Sequence, residues 1–302
     1  MARTIRGAAL ACAALLVLTA CGGGGNPYRQ GGGGGNGTVV VGSANFSENV
    51  LLGHIYARAI EAKGVQVTEK FNIGSREVLF KQIKSGSITV LPEYNGALLA
   101  YLDPGTKATT TQEINKQLRA KLPAKLATLE SAKAQNKDSL TVTAETAKQY
   151  DLKSISDLES VDQKFVLGGP PEFKTRYQGM KGLQKLYGLE FERFKSLDTG
   201  GPITVSALKK GDIQVANLFT TDPAIDRNDF VVLEDPKHLF SSQNITPLVY
   251  KPGVNDKVRQ ALNAVSAKLD TRTMSKLLKR YVVDKDDPDK IAKDWLTSQG
   301  LI

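Results

Sequence analysis

Val39-Val40-Val41-Gly42-Ser43-Ala44-Asn45-Phe46-Ser47-Glu48, with the chain that follows as far as Leu91-Pro92, decides the fold. Three β-branched residues in a row read as a short buried strand, after which Val50, Leu51, Ile55 and Ala59 recur at helical spacing until Gly64. Ser47 is placed to cap that helix, and Glu48 suits the positive end of its dipole. Val65-Gln66-Val67-Thr68 then alternates as a strand, residues 76–84 have helical period, and residues 87–91 return to a strand before Pro92. Strand and helix in strict alternation imply a parallel sheet with helices on its faces. Ligands of such sheets gather outside the carboxyl ends of the strands, so the loops after Val41 and Leu91 are the first candidates for a site.

Downstream, residues 111–137 are basic and predominantly helical in pattern, with a bend expected at Pro123, which removes a helix hydrogen bond. A short strand follows at Leu140, and the alternation then restarts. Helix is expected at 144–150, strand at 165–167, helix at 180–187, strand at 191–197, helix at 203–209 and strand at 213–218. Short strands at 230–233 and 247–250 precede two or three helices that contain the one tryptophan, Trp295. Two α/β units with a helical tail fit either separate domains in series or two lobes joined by crossing strands, and periodicity leaves both open.

Upstream, Arg3 and Arg6 precede an apolar run from Ala8 to Ala20, too short to span a bilayer and suited to a secretory signal. The run ends in Leu18-Thr19-Ala20-Cys21, which resembles the bacterial lipobox, so residues 1–20 are expected to be removed and Cys21 lipidated. Residues 22–37 are mostly glycine and cannot bury enough apolar surface to offset their ordering entropy, so 21–37 reads as a flexible tether. The chain has two cysteines, and Cys12 lies in the signal segment. The mature domain is therefore expected to have no disulfide, no cysteine nucleophile and no thiolate metal site. The formal charge of +9 loses two with Arg3 and Arg6, and the remainder is interleaved with Glu113, Glu130 and Asp138. A solvated basic face accounts for it better than a nucleic-acid partner does.

Several strings argue together: Gly42-Ser43-Ala44-Asn45-Phe46-Ser47-Glu48, Pro92-Glu93-Tyr94-Asn95-Gly96, Tyr187-Gly188-Leu189, Leu197-Asp198, Ala207-Leu208-Lys209-Lys210-Gly211 and Thr220-Thr221-Asp222. In their order and spacing the chain resembles the quaternary-ammonium (glycine betaine, choline, carnitine) substrate-binding proteins of ABC importers, over residues 38 to 296. The resemblance implies an α/β type II periplasmic-binding-protein fold, with residues 38–138 plus 247–302 in one lobe and 139–246 in the other. It also implies a ligand cleft and hinge between them. Its partners would be a small organic solute and the permease and ATPase subunits of an importer, with the membrane reached through the lipid anchor. A monomer without cofactor or metal is implied.

A trimethylammonium group donates no hydrogen bond and is held against aromatic faces, at roughly 0.5–2 kcal/mol per ring. By the resemblance, Tyr94 is a cage tyrosine, Phe219 replaces a second one, Arg176 is a carboxylate contact, and Asn45 and Thr220 line the cleft. Leu140 and Val205 stand where further rings are common, Ala44 where a carboxylate-binding lysine is common, and Ala97 where threonine is common. Losing two rings and two charge-assisted contacts costs about 4 kcal/mol or roughly a thousandfold in affinity. The site is thus expected to favour a bulkier or aromatic solute over compact glycine betaine.

Blander roles stand beside these. Tyr94 and Phe219 also suit a core, Arg176 also suits a surface pair with Glu172, and Asn45 also suits a turn bond. His54 and His238 lack partners at metal spacing, and the acids at 284, 286, 287 and 289 lack the glycine and terminal glutamate of a calcium loop. No hydrolase, phosphate-loop or zinc-protease motif is present, so an enzyme is not expected. The alternative function is an envelope lipoprotein that senses or docks without transport.

Overall fold

A computed structural model describes residues 38–302. The expected signal segment 1–20, Cys21 and the tether 21–37 lie outside the described residues. In chain order the first elements are β1 (Val39–Gly42), α1 (Ser47–Glu61), β2 (Val67–Lys70), α2 (Arg76–Ser85), β3 (Val90–Tyr94), α3 (Asn95–Leu102), α4 (Thr111–Lys121) and β4 (Leu126–Thr128). The middle contains β5 (Asp138–Val142), α5 (Ala144–Gln149), β6 (Val166–Gly169), β7 (Arg193–Ser196), α6 (Pro202–Lys209), β8 (Val215–Phe219), α7 (Pro223–Arg227) and β9 (Val231–Val232). The chain closes with β10 (Ile245–Tyr250), α8 (Asp256–Lys268), α9 (Thr271–Val282) and α10 (Pro288–Ser298).

Alternation along the strands builds the first lobe. Its sheet runs β2-β1-β3-β10-β4, with β1 parallel to β2 and β3, and β10 antiparallel to both of its neighbours. Val39, Val41, Val90 and Val249 face one core, shared with α1, α8, α9 and α10, where Leu51, Ile55, Leu262 and Trp295 are buried. Val40, Leu91 and Leu248 face the other, shared with α2, α3 and α4. This period of two is what a sheet covered on both faces requires. Gly86 ends α2 in the left-handed conformation, φ 83°, with its N–H on Ile83 O and that of Ser87 on Gln82 O.

The second sheet runs β7-β6-β8-β5-β9, again with three parallel strands and an antiparallel strand next to last. β5 therefore takes the place here that β10 takes in the first sheet. Each sheet owns one strand delivered by a crossing segment. The two crossings run antiparallel: Asn136 N–H donates to Gln243 O, Ile245 N–H to Ala134 O, and Gln135 bridges Asn244. Two linked α/β lobes with a cleft between them form the type II periplasmic-binding-protein architecture. The first sheet takes up β10 from Ile245, two residues before the boundary expected from the sequence.

The largest departure from the sequence reading concerns residues 111–137. The helix stops at Lys121, where Leu122 turns extended ahead of Pro123, and residues 126–128 pair with β10 instead. Alanine, lysine and leucine there favour helix, but the unpaired edge of β10 and the need to cross between lobes outweigh that preference. Residues 177–187 form two wide, irregular helical turns broken at Gln178 and Gly179, where one regular helix is expected. Ser47 is the first helical residue of α1 and not its cap. Phe46 holds the cap position and makes no side-chain cap bond. Among the described residues no helix is long and apolar enough to cross a membrane.

Candidate functional site

The carboxyl ends of β1, β3, β6 and β8 converge on the cleft between the lobes, and β5, running opposite, begins there. Local bonds fix the first lobe's rim. Asn49 accepts from Ala44 N–H at 2.7 Å and donates to Pro92 O at 3.0 Å, tying the loop after β1 to β3. Ser43 Oγ accepts from Asn72 N–H at 2.8 Å. On α3, a side chain at Gly96 would place Cβ 2.1 Å from Ser242 O, so only glycine lets the returning crossing lie this close. The cleft encloses a volume of about 50 Å³.

Three rings wall this space. Phe46 stacks on Phe219 across the lobes at 5.0 Å between centroids, and Tyr94 lies 6.0 Å from Phe46 on its other side. Behind the wall sits Glu48, 2% exposed, which accepts from Tyr94 Oη at 2.7 Å, Asn136 Nδ2 at 2.8 Å and Thr221 Oγ1 at 2.6 Å. No lysine or arginine pairs with it among the described residues. Burial raises its pKa by more than the three hydrogen bonds lower it, and Asp222 adds to the rise. Burial and the adjacent carboxylate push the Tyr94 phenol well above its ordinary value of 10.0. The ring faces themselves, with their negative quadrupoles, favour a cation in front of them.

The opposite pole is polar. Arg76 grips Glu93 with two hydrogen bonds of 2.8 and 2.9 Å. Arg176 reaches across the cleft to Glu77 on α2 with two more, at 3.0 and 2.9 Å, and approaches Glu172 to 3.7 Å. Burial alone would raise the Glu77 pKa, but Arg176 outweighs it and takes the carboxyl down to about 2. Asp138 accepts from Asn217 Nδ2 at 3.0 Å and forms no ion pair.

Of the residues expected from the sequence, Asn45, Tyr94, Arg176 and Phe219 all line the cleft. Asn45 is exposed and its carboxamide bonds to no protein group; the turn bond foreseen for it is made by Asn49. Arg176 spends its fork on Glu77. Thr220 is brought elsewhere: it is exposed, outside the cleft lining, and its hydroxyl accepts from Lys137 N–H, extending the β5–β8 ladder. Its neighbour Thr221 turns inward to Glu48. Ala44 and Ala97 line the cleft, whereas Leu140 is fully buried in the second lobe's core. Val205 lines a second, open groove that shares Asn45, Phe46, Asn136, Thr199 and Phe219 with the cleft.

Phe46, Glu48, Asn136 and Asp138 were not assigned to the site from the sequence. An aromatic in the loop after a strand's carboxyl end was a usable signal for Phe46. Asn136 was hidden by the helical reading of 111–137, and Asp138 was read as one of the acids of a solvated basic face.

Residues 37–298 match the family described as the substrate binding domain of the ABC-type glycine betaine transport system. The chain belongs to this family. It is 28% identical over 277 residues to the glycine betaine-binding protein YehZ of Escherichia coli K12, covering 87% of this chain and 90% of that protein. It is 27% identical over 318 residues to a glycine-betaine-binding protein of Pseudomonas aeruginosa, covering 100% and 96%. The ergothioneine transport permease/ergothioneine binding protein EgtU of Helicobacter pylori is 25% identical over 268 residues, covering 87% of this chain and 48% of that protein. A crystal structure of a glycine betaine/carnitine/choline ABC transporter protein superposes with a TM-score of 0.67 at 22% identity, covering 87% and 99% of the two chains. Lactococcal OpuAC, closed on glycine betaine, gives 0.61 at 16%, covering 87% and 96%. These two likenesses bear on the fold. The chain is a substrate-binding protein of a glycine betaine-type ABC importer, a class that works outside the cytoplasm.

Proposed function

We propose that this protein is the lipid-anchored member of its importer, capturing a cationic solute bulkier than glycine betaine between residues 38–138 plus 247–302 and residues 139–246. The observation that carries the reading is the wall of Tyr94, Phe46 and Phe219, backed by the carboxylate of Glu48 and facing Ala44 and Ala97. Ring faces suit a cation, and the two alanines leave width without a lysine for a carboxylate. A second groove borders the same two rings, Phe46 and Phe219. Asn45 serves at the rim and Thr220 holds the floor strands. Arg176 closes the cleft through Glu77. Delivery is to a permease and its ATPase, and the protein acts as a monomer that performs no chemistry on its cargo.

Titration calorimetry against glycine betaine, choline, carnitine and a set of aromatic cations tests this reading. Weak or undetectable betaine binding and tighter binding of an aromatic cation are expected, and Tyr94→Ala should weaken the latter by about 1 kcal/mol or more. Micromolar or tighter betaine binding would restore the ordinary osmoprotectant role. The anchor is tested separately by Cys21→Ser, which should leave the protein unlabelled by radioactive fatty acid and absent from the membrane fraction. Unchanged labelling would end that part of the proposal.

A further inference from the structure

Two guanidinium groups, Arg76 and Arg176, line the cleft with three carboxylates, Glu93, Asp138 and Glu172. Each arginine is already neutralised by a bidentate partner, Glu93 or Glu77. That leaves Asp138 and Glu172 as cleft carboxylates without a bidentate cation; burial raises the Asp138 pKa and outweighs Arg176 and Arg76, which lie near enough to pull it down. Asp138 stands at the start of β5, directly opposite Phe219 in the register with β8, so this acceptor and one of the cage rings are neighbours. Asn217 Nδ2 donates to its Oδ1, and Gln243 lies beside it.

A second observation points the same way. Asn136, 1% exposed, lines the cleft, and its Oδ1 is buried without any donor. The amide cannot be turned to relieve this, because its Nδ2 is held by Glu48 Oε1 at 2.8 Å. A buried acceptor left unmade is costly, and such groups mark a place where a partner is missing. Two acceptors thus border the cleft, two residues apart, Asp138 at the start of β5 and Asn136 on the crossing segment before it.

We infer that the cleft selects its solute by hydrogen-bond donors as well as by charge, with Asp138 and the amide oxygen of Asn136 receiving N–H groups of a cation that lies against Phe219. The inference rests on the cleft being the solute site and adds the chemical class of the solute: a protonated amine, amidine or N–H heterocycle in place of a fully N-methylated zwitterion. A trimethylammonium group offers neither acceptor a proton. A carboxylate on the solute would face Asp138 with like charge and find both arginines paired.

Matched pairs that differ by one N-methyl group isolate this effect. The wild-type protein is titrated at neutral pH with protonated N,N-dimethyltyramine and with N,N,N-trimethyltyramine, and likewise with N,N-dimethylethanolamine and choline. The member that keeps an N–H should bind at least about tenfold more tightly, as a hydrogen bond to a charged acceptor implies. Asp138→Asn and Asp138→Ser should bring each pair to within about threefold, with thermal melts and circular dichroism confirming that at least one variant is folded. Equal or tighter binding of the trimethylated member by the wild type overturns the inference and leaves the cleft reading standing. A preference that survives in a folded Asp138 variant removes Asp138 as the acceptor. If none of the four cations binds, or if binding is indifferent to Tyr94→Ala, the cleft reading falls and this inference with it.

Discussion

Glu48 shows how one side chain ties chemistry to architecture. It enters from the first turn of α1, where a carboxylate complements the helix dipole, but it points inward and takes donors from Tyr94 and Asn136 and, across the lobes, from Thr221. A carboxylate so buried is tolerable only while its oxygens are satisfied. Thr221→Val keeps the shape of the side chain and removes the one donor to Oε2. The fold should lose about 1–3 kcal/mol, read as a lower melting temperature, and Thr221→Ser should restore most of it. An unchanged melt in Thr221→Val would show that Oε2 finds another partner. Little of this was legible beforehand: Glu48 was read as a helix-dipole residue, and nothing in Thr220-Thr221 told which hydroxyl turns inward. Strand pairing decides it, since Thr220 continues the β5–β8 ladder and its neighbour must then leave it.

At the scale of elements, α2 and the turn before residue 177 are joined by the ion pair of Glu77 and Arg176 across the cleft. Glu77 is held down to about pH 2, below its ordinary 4.5, so the contribution of the pair is fully present above 4.5 and is lost as the pH falls toward 2. Glu77 is partly exposed, so salt should screen the pair as well. Glu77→Gln is expected to loosen the closed form, seen as a larger radius of gyration of the unliganded protein in scattering at neutral pH. Wild type in high salt should move the same way, and an identical radius in both would mean that the pair is not what holds the lobes together. The elements themselves were largely legible. The βαβαβ opening follows from valine runs and helical spacing that tertiary packing merely reinforces. The stretch after Pro123 was misread because its alanines and lysines carry helix preference, and only the partner strand β10, over a hundred residues away, makes it extended.

For the whole molecule, two sheets of matched topology each receive one strand from a crossing segment, so the site is built from both lobes and from the crossings themselves. Long-range delivery of this kind leaves no local trace, which is why Tyr94 could be placed at a strand end and Phe219 by resemblance, while Asn136 on the crossing and Asp138 at the start of β5 were not assigned. Rings from separate lobes, Phe46 and Phe219, accordingly touch across the cleft. The most direct test is a crystal structure with the aromatic cation that calorimetry ranks tightest. Its charged nitrogen should lie within about 6 Å of the Phe46, Tyr94 or Phe219 ring centroids, with Asp138 in contact and the lobes closed. A ligand bound outside the cleft, or inside it with a carboxylate on Arg76 or Arg176 and no contact to these rings, would contradict the account.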